Sequence, residues 1–235
     1  MLKQLTTAVT VTAAALGLTL GPVQAGERVV LIELYTSQGC SSCPPADALL
    51  KELSPREDVI PLALHVDYWD YIGWKDVFAD PAYADRQRAY ARAAGQRTIY
   101  TPQMIVGGLD HVVGYKPMSL ADAIMKHREK PPVAEIQMQR DGASVSIEIS
   151  AEEPLGATIV QLVRYMPEAT VAIKAGENRG ETISYSNIVT EWRKLQDWDG
   201  ASDVTLSAEA AGEQPVVVVL QKPGHGEVIA AARLR

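Results

Sequence analysis

The sequence contains little cysteine, and this limits the roles that its cysteines can have. Only two cysteines occur among 235 residues, Cys40 and Cys43, three positions apart. A secreted protein that is stapled for stability usually spaces its cysteines widely, because a short loop constrains the unfolded chain least. A bridge across Cys40-Ser41-Ser42-Cys43 would therefore stabilise little. Redox chemistry explains the close spacing of the two cysteines better than stabilisation does.

The chain also lacks any dense cluster of lysine and arginine. Its 22 basic residues are outnumbered by 29 acidic ones, and the formal net charge is -7. An acidic chain without a basic patch argues against nucleic acid or anionic lipid as a partner. No stretch beyond the N-terminal segment is long and apolar enough to span a bilayer. We therefore expect a protein that is not membrane-embedded.

The first 25 residues have the layout of a secretory signal peptide. Lys3 precedes an apolar run from Ala8 to Leu20, Gly21-Pro22 breaks this run, and Val23-Gln24-Ala25 supplies small residues for cleavage after Ala25. We expect a periplasmic or secreted location. The alternative is a membrane anchor, which is disfavoured because the apolar run falls short of the roughly 20 residues that span a bilayer.

Residues 26–130 alternate between strand and helix patterns. A nearly continuous apolar run at 29–35, interrupted only by Glu33, is typical of a buried strand. After the cysteines, apolar residues recur at helical spacing. The remaining patterns complete the order β-α-β-α-β-β-α. We therefore predict an α/β domain here, followed by a charged and proline-rich linker near 127–132.

Residues 131–235 have an all-β pattern. Alternating residues on both sides of Arg140-Asp141-Gly142 predict a hairpin, because Asp-Gly suits a type I′ turn. Further strand candidates are Ile159–Tyr165, Thr170–Lys174, Val204–Ser207, Val216–Leu220 and Val228–Ala232. About seven short strands predict a sandwich-like domain. The polar segments 177–180 and 185–187 are interpreted as sandwich loops without chemistry.

The chemistry of the cysteine pair follows from its place at the start of a helix. Backbone N–H groups and the helix dipole stabilise a thiolate there. Cys40, nearer the loop, is then the nucleophile that forms a mixed disulfide. Cys43, one helical turn later, is the resolving thiol.

Two segments carry a resemblance to a known superfamily. Tyr35–Leu50, with its Cys-x-x-Cys-Pro, resembles the active-site segment of the thioredoxin superfamily, and Thr101-Pro102-Gln103 is similar to the segment that contains its cis-proline. The resemblance implies that Pro102 packs beside the cysteine pair and that the backbone of Thr101 pairs with a bound peptide. It also implies a thioredoxin-like fold for residues 26–130.

A closer resemblance covers nearly the whole chain after Ala25. Glu33–Cys40, His65–Asp70 and Tyr100–Gln103 resemble the domain of unknown function 1223 family, secreted thioredoxin-like proteins that carry an extra β-domain. The family name confers no activity, so the chemistry is argued from the residues.

Glu33 is the candidate for proton transfer. It resembles a buried aspartate of thioredoxin, although the spacing to Cys40 is one residue longer. Burial in an apolar strand would raise its pKa and suit a general base. The alternative is a salt-bridged glutamate.

The residues after the second strand are candidates for substrate binding. Asp67 and Trp69 follow this strand at the carboxyl end of the sheet, where ligand sites of open α/β sheets gather. Together with Ser41 and Ser42 they are predicted to line a substrate groove. The alternative is that the aromatic residues of this segment only pack over the domain.

These observations favour an extracytoplasmic thiol–disulfide oxidoreductase that acts on thiols and disulfides of exported proteins. No cofactor is needed, because the cysteine pair holds the electrons. One alternative is a non-enzymatic binding module with a stable disulfide, and another is copper or zinc handling by Cys40, Cys43 and His65. A Cys40 sealed from solvent, or a Pro102 far from the pair, would overturn the redox assignment and leave an exported two-domain protein without an assigned function.

Overall fold

The computed structural model describes residues 28–235, so the predicted signal peptide lies outside the described residues. The first half alternates strands and helices. Its elements are β1 (Val30–Thr36), α1 (Pro44–Leu53), β2 (Val59–His65), a 3-10 turn (Asp70–Ile72), α2 (Pro81–Ala93), β3 (Gln103–Val106), β4 (Asp110–Val113) and α3 (Pro117–Arg128). None of the helices in this described part of the chain has the length and apolarity needed to cross a bilayer.

The second half consists of strands. They are β5 (Glu135–Asp141), β6 (Ser144–Ser150), β7 (Thr158–Ala172), β8 (Thr182–Trp198), β9 (Val204–Glu209), β10 (Val216–Gln221) and β11 (Val228–Leu234). The hairpin expected around Arg140-Asp141-Gly142 is the β5–β6 pair, with Asp141 opposite Ser144.

The β7–β8 hairpin differs most from the sequence-based expectation. The strand predicted at Ile159–Tyr165 and the start of the one predicted at Thr170–Lys174 form a single strand, β7, and its partner β8 covers the segment 185–187 that the sequence predicts to be a loop. β8 is rich in polar and charged residues because much of it is partly or fully exposed. Its pairing with β7 along almost the whole length overrides its weak local preference for a strand.

The strands form two sheets, and the larger one spans both halves of the sequence. Its order is β11-β10-β7-β8-β2-β1-β3-β4, whereas β5, β6 and β9 form a three-stranded sheet. β1 and β2 are parallel, and β2 continues to β8 through a parallel contact at Ala63 and Ile188. The predicted boundary near residue 130 falls between α3 and β5, while the large sheet takes strands from both sides of it.

Three hydrophobic cores pack against the large sheet. α1 and α3 cover one face of the β1–β3 region, where Ile32 and Leu34 pack against Ala46 and Leu50 of α1. On the same sheet, the three-stranded sheet packs against β7, β10 and β11. α2 covers the opposite face, and the core beneath it contains residues of β1, β2, β7, β8, β10 and β11. This last core ties the two halves together.

A buried ion pair lies beneath α2. Arg86 donates from Nε and Nη2 to the two carboxylate oxygens of Glu33, at 2.7 and 2.9 Å. The guanidinium also lies 3.7 Å from the ring centre of Trp192 and 3.1 Å from the amide oxygen of Gln221. Arg86 thus connects β1 to strands of the second half.

We expect the substitution Arg86→Met to lower the free energy of unfolding by about 3–5 kcal/mol, because it leaves the Glu33 carboxylate buried without its countercharge. Urea unfolding measures the loss. Arg88→Met, on the same helix, removes an exposed ion pair with Asp85 and should cost less than about 1 kcal/mol. Equal losses in the two variants would contradict the role of the buried pair.

Candidate functional site

The cysteine loop connects β1 to α1. Cys40 and Cys43 are joined by a disulfide bond, and Cys43 is the N-cap residue of α1. Its carbonyl accepts the first helical hydrogen bonds, from Ala46 N at 2.8 Å and Asp47 N at 3.1 Å. Pro44 and Pro45 occupy the first turn, where a missing N–H costs least. The disulfide therefore lies at the positive end of the helix dipole.

The disulfide itself is buried. Cys40 is 1% exposed and Cys43 is 0% exposed, whereas Ser41 and Ser42 between them are exposed. Cys40 is therefore sealed from solvent, the condition that overturns the oxidoreductase for a rigid site. With so little of either cysteine exposed, we expect exchange chemistry only if the surroundings of the pair move.

Part of the cover over the loop comes from the second half of the chain. The turn between β7 and β8, residues 173–181, is called here the hairpin tip. Within it, Asn178 Nδ2 donates to the carbonyls of Gln38 at 2.8 Å and Cys40 at 3.0 Å. Glu177 Oε2 accepts from the backbone N–H of Ser41 at 3.2 Å. The sequence predicts no chemistry for this segment, because no local pattern connects it with a loop about 140 positions earlier.

The residues after β2 include Tyr68, Trp69, Tyr71 and Trp74 and are called here the aromatic segment. This segment also packs on the cysteine loop. Trp69 Nε1 donates to the hydroxyl of Thr101 at 2.7 Å. A Cβ added to Gly39 would lie 3.1 Å from Trp69 Cβ, so the tryptophan also touches the cysteine loop. The Thr101–Pro102 peptide bond is cis, and Pro102 is buried. Trp69 thereby joins the Thr101–Pro102 segment to the loop, while Asp67 is half-buried nearby in sequence.

Glu33 is not brought to the cysteines. Its carboxylate accepts from Tyr35, Arg86 and Tyr90, at 2.6–2.9 Å. Side chains alternate along a strand, and Glu33 shares the α2 face with Tyr35, whereas its neighbours Ile32 and Leu34 face α1. The salt-bridged alternative describes its surroundings, and the proposed proton transfer from Glu33 gains no support from them.

A second buried carboxyl, which the sequence analysis does not single out, lies on α1, the helix that follows the cysteines. Asp47 is four residues after Cys43 on α1, a spacing at which side chains are neighbours on a helix. It is 3% exposed. Burial raises the pKa of Asp47 to about 7 and Asp76 acts in the same direction, although His65 and the Thr36 hydroxyl oppose the rise. The only available signal was this four-residue spacing inside an otherwise apolar helix face.

A buried histidine–carboxylate pair completes this polar cluster. His65 Nδ1 lies 2.7 Å from Asp76 Oδ2, and both side chains are 0% exposed. The same carboxylate oxygen accepts from the backbone N–H of Gln38 at 2.8 Å, and the indole of Trp74 donates to the Gln38 side chain at 2.8 Å. The pair therefore fixes the start of the cysteine loop.

The polar residues of this region do not form a metal centre. Within residues 28–235, no group of three or more His, Cys, Asp or Glu side chains is arranged to hold a metal ion. The copper or zinc alternative, built on Cys40, Cys43 and His65, therefore gains no support from the donor geometry.

The raised pKa of Asp47 predicts a pH-dependent stability. The folded protein holds this proton up to about pH 7, whereas the unfolded chain loses it near pH 4, so Asp47 makes the free energy of unfolding fall as pH rises through this window. Asp47→Asn imitates the neutral carboxyl. Its stability relative to the parent should increase by about 1–3 kcal/mol across the window.

Urea unfolding at several pH values tests this expectation. The matched control is Asp122→Asn, which alters an exposed carboxyl on α3. Its stability difference should stay constant across the same pH range. Parallel pH curves for Asp47→Asn and the parent would exclude a buried, proton-holding Asp47.

Comparison with known proteins identifies the family. The family model described as "Protein of unknown function (DUF1223)" matches residues 31–221. The crystal structure of protein AGR_C_4864 from Agrobacterium tumefaciens is 32% identical with a TM-score of 0.77, over 89% of this chain and 96% of that chain. HBP35 of Porphyromonas gingivalis is 14% identical with a TM-score of 0.63, over 88% and 75% of the two chains, a likeness of fold alone. No curated protein matches. The chain belongs to the DUF1223 family.

Proposed function

We propose that the protein is an extracytoplasmic thiol–disulfide oxidoreductase that exchanges disulfides with exported proteins through Cys40 and Cys43. The observation that carries the proposal is the disulfide at the start of α1, with a buried carboxyl of raised pKa one helical turn after Cys43. A helix N-terminus lowers the pKa of a thiol, and the thiolate is the species that attacks disulfides.

The fold assignment that goes with this proposal is a thioredoxin-like unit at 26–130 and a sandwich-like unit at 131–235. It is supported by the resemblance of Tyr35–Leu50 to the thioredoxin active-site segment and by the element order of the first half. The export signal in residues 1–25 supports a periplasmic or secreted location, where protein disulfides form and persist.

The exchange starts from the disulfide seen in the structure. A thiolate of a substrate dithiol attacks Cys40 Sγ, a bond forms between the two sulfurs, and the Cys40–Cys43 bond breaks. Cys43 leaves with the electron pair and takes a proton from the Asp47 carboxyl. The second substrate thiolate then attacks the substrate sulfur of the mixed disulfide and releases Cys40 as a thiolate. The substrate is oxidised to a disulfide and the cysteine pair is reduced, by two electrons.

The reverse direction uses the same groups. When the reduced pair attacks a substrate disulfide, Cys43 must lose its proton before it can resolve the mixed disulfide. Asp47 is suited to accept this proton because its pKa of about 7 lies near neutral pH. Asp47 thus takes the role in proton transfer that the sequence predicts for Glu33.

Substrate binding is proposed for the segments around the loop. Thr101 has a hydroxyl already bound by Trp69, which holds the backbone ahead of Pro102 in one position. We propose that this backbone pairs with an extended substrate. Ser41 and Ser42 are exposed next to the pair and would contact the substrate as well.

The burial of Cys40 favours a second candidate, a binding module whose disulfide is purely structural. The two candidates differ in redox behaviour. A stable structural disulfide resists a thiol buffer poised near about -300 mV, whereas an exchanging pair is reduced there.

The decisive experiment compares Cys43→Ser with Cys40→Ser. Each variant is mixed with oxidised glutathione and analysed by intact mass. We expect Cys43→Ser to accumulate a glutathione mixed disulfide at Cys40, because nothing remains to resolve it, and Cys40→Ser to form far less. We expect the parent to catalyse the reduction of insulin disulfides and both variants to lose this activity. Undiminished activity of Cys40→Ser would refute the mechanism, and an inactive parent with an irreducible disulfide would establish the structural candidate.

A further inference from the structure

The hairpin tip meets the cysteine loop through the loop's own backbone. The carbonyls of Gln38 and Cys40 and the N–H of Ser41 are bound by side chains of Asn178 and Glu177. Asn178 is 6% exposed and supplies two of these three hydrogen bonds. A buried side chain of one segment thus satisfies backbone groups on both sides of Gly39 in another.

The tip is organised as a unit. Ile173, which is buried, exchanges backbone hydrogen bonds with Gly180 and Glu181 at 2.8 and 2.9 Å. Gly176 has a φ of +75°, and an added Cβ would lie 3.2 Å from Trp74 Cβ. Gly176 of the tip therefore packs on Trp74, while the next two residues, Glu177 and Asn178, bind the cysteine loop.

The distal part of the β7–β8 hairpin, from β8 residue Ile188 towards the tip, has few backbone hydrogen bonds to the large sheet, and its buried Tyr185 packs edge-on against His65 with ring centres 4.9 Å apart. In the described residues, β8 pairs with β2 only at Ala63 and Ile188. Residue Asn187, next to this contact, has a φ of +51° and anchors β8 by donating to the Pro61 carbonyl at 2.8 Å. Beyond it the two strands pair with each other and lie over α1, with an exposed Lys51–Glu168 ion pair at 2.5 Å. Movement of the distal part would break few hydrogen bonds to the sheet.

We infer that the hairpin tip is a gate on the disulfide, with Asn178 as the positioning residue that holds it closed. Its use in exchange rests on the proposed function, but the gate itself is a property of the fold. Cys40 is attacked only in molecules whose tip has left the loop. The observed rate of reduction is then the attack rate multiplied by the open fraction.

The test follows the reduction of the disulfide by excess dithiothreitol. One dithiothreitol thiolate attacks Cys40 Sγ, Cys43 leaves, and the second thiol closes the oxidised ring, so the pair gains the two electrons that the reagent loses. Asn178→Ala removes two hydrogen bonds that hold the gate closed. We expect it to accelerate reduction about tenfold, equivalent to 1.4 kcal/mol in the opening equilibrium. Arg179→Ala, a change of an exposed neighbour in the same tip, should leave the rate unchanged.

A second measurement separates gating from general destabilisation. Reduction of the parent protein is repeated in low, non-denaturing urea. Opening of the tip exposes little surface, so the rate should hardly change, whereas reduction through global unfolding would rise with the full unfolding slope. A full unfolding slope in the parent, or equal rates for Asn178→Ala and Arg179→Ala, would overturn the gate.

The outcome is distinguishable from that of the proposed function. If Asn178→Ala is reduced faster by dithiothreitol but no form of the protein exchanges with a polypeptide disulfide, the gate stands and the oxidoreductase fails. If the parent exchanges with polypeptides and Asn178→Ala is reduced no faster, the oxidoreductase stands and the gate fails.

Discussion

The parallel contact between β2 and β8 is the constraint on which the arrangement of the site depends. β2 carries His65 at its end, and β8 is one arm of the hairpin whose tip holds the cysteine loop. Because the contact places β8 beside the first-half strands, residues of the second half reach the chemistry of the first. The candidate site is therefore a product of both halves, and the all-β part is more than an appendage.

The two faces of the large sheet hold charges of different character. On the α2 face, Glu33 has a full set of partners around Arg86, an arrangement suited to fixed structure. On the α1 face, Asp47 is buried beside His65, and burial raises its pKa to about 7. Asp47 is buried without an arginine partner, and its raised pKa allows it to exchange a proton near neutral pH. Such a carboxyl is useful for moving protons.

What the sequence could predict was local. The Cys-x-x-Cys at a helix start and the Asp-Gly hairpin depend on neighbouring residues. Trp69 is predicted near the loop because it follows a strand at the carboxyl end of the sheet, and Thr101 is predicted there by resemblance. The function of Asn178 could not be predicted, because its partners lie about 140 positions away and its surroundings resemble an ordinary turn. Glu33 is predicted for proton transfer by its resemblance to a buried aspartate of thioredoxin, whereas no such resemblance points to Asp47. Only the strand's alternation, seen with the helices in place, shows which face each acid occupies.

The sharing of the large sheet has a consequence for dissecting the chain. A fragment that ended near residue 130 would expose β2 as a free edge along the strand that now meets β8. β2 is buried along its whole length and reads Val-Ile-Pro-Leu-Ala-Leu-His, an apolar edge of the kind that pairs with other chains. We therefore expect such a fragment to self-associate more readily than the whole chain does.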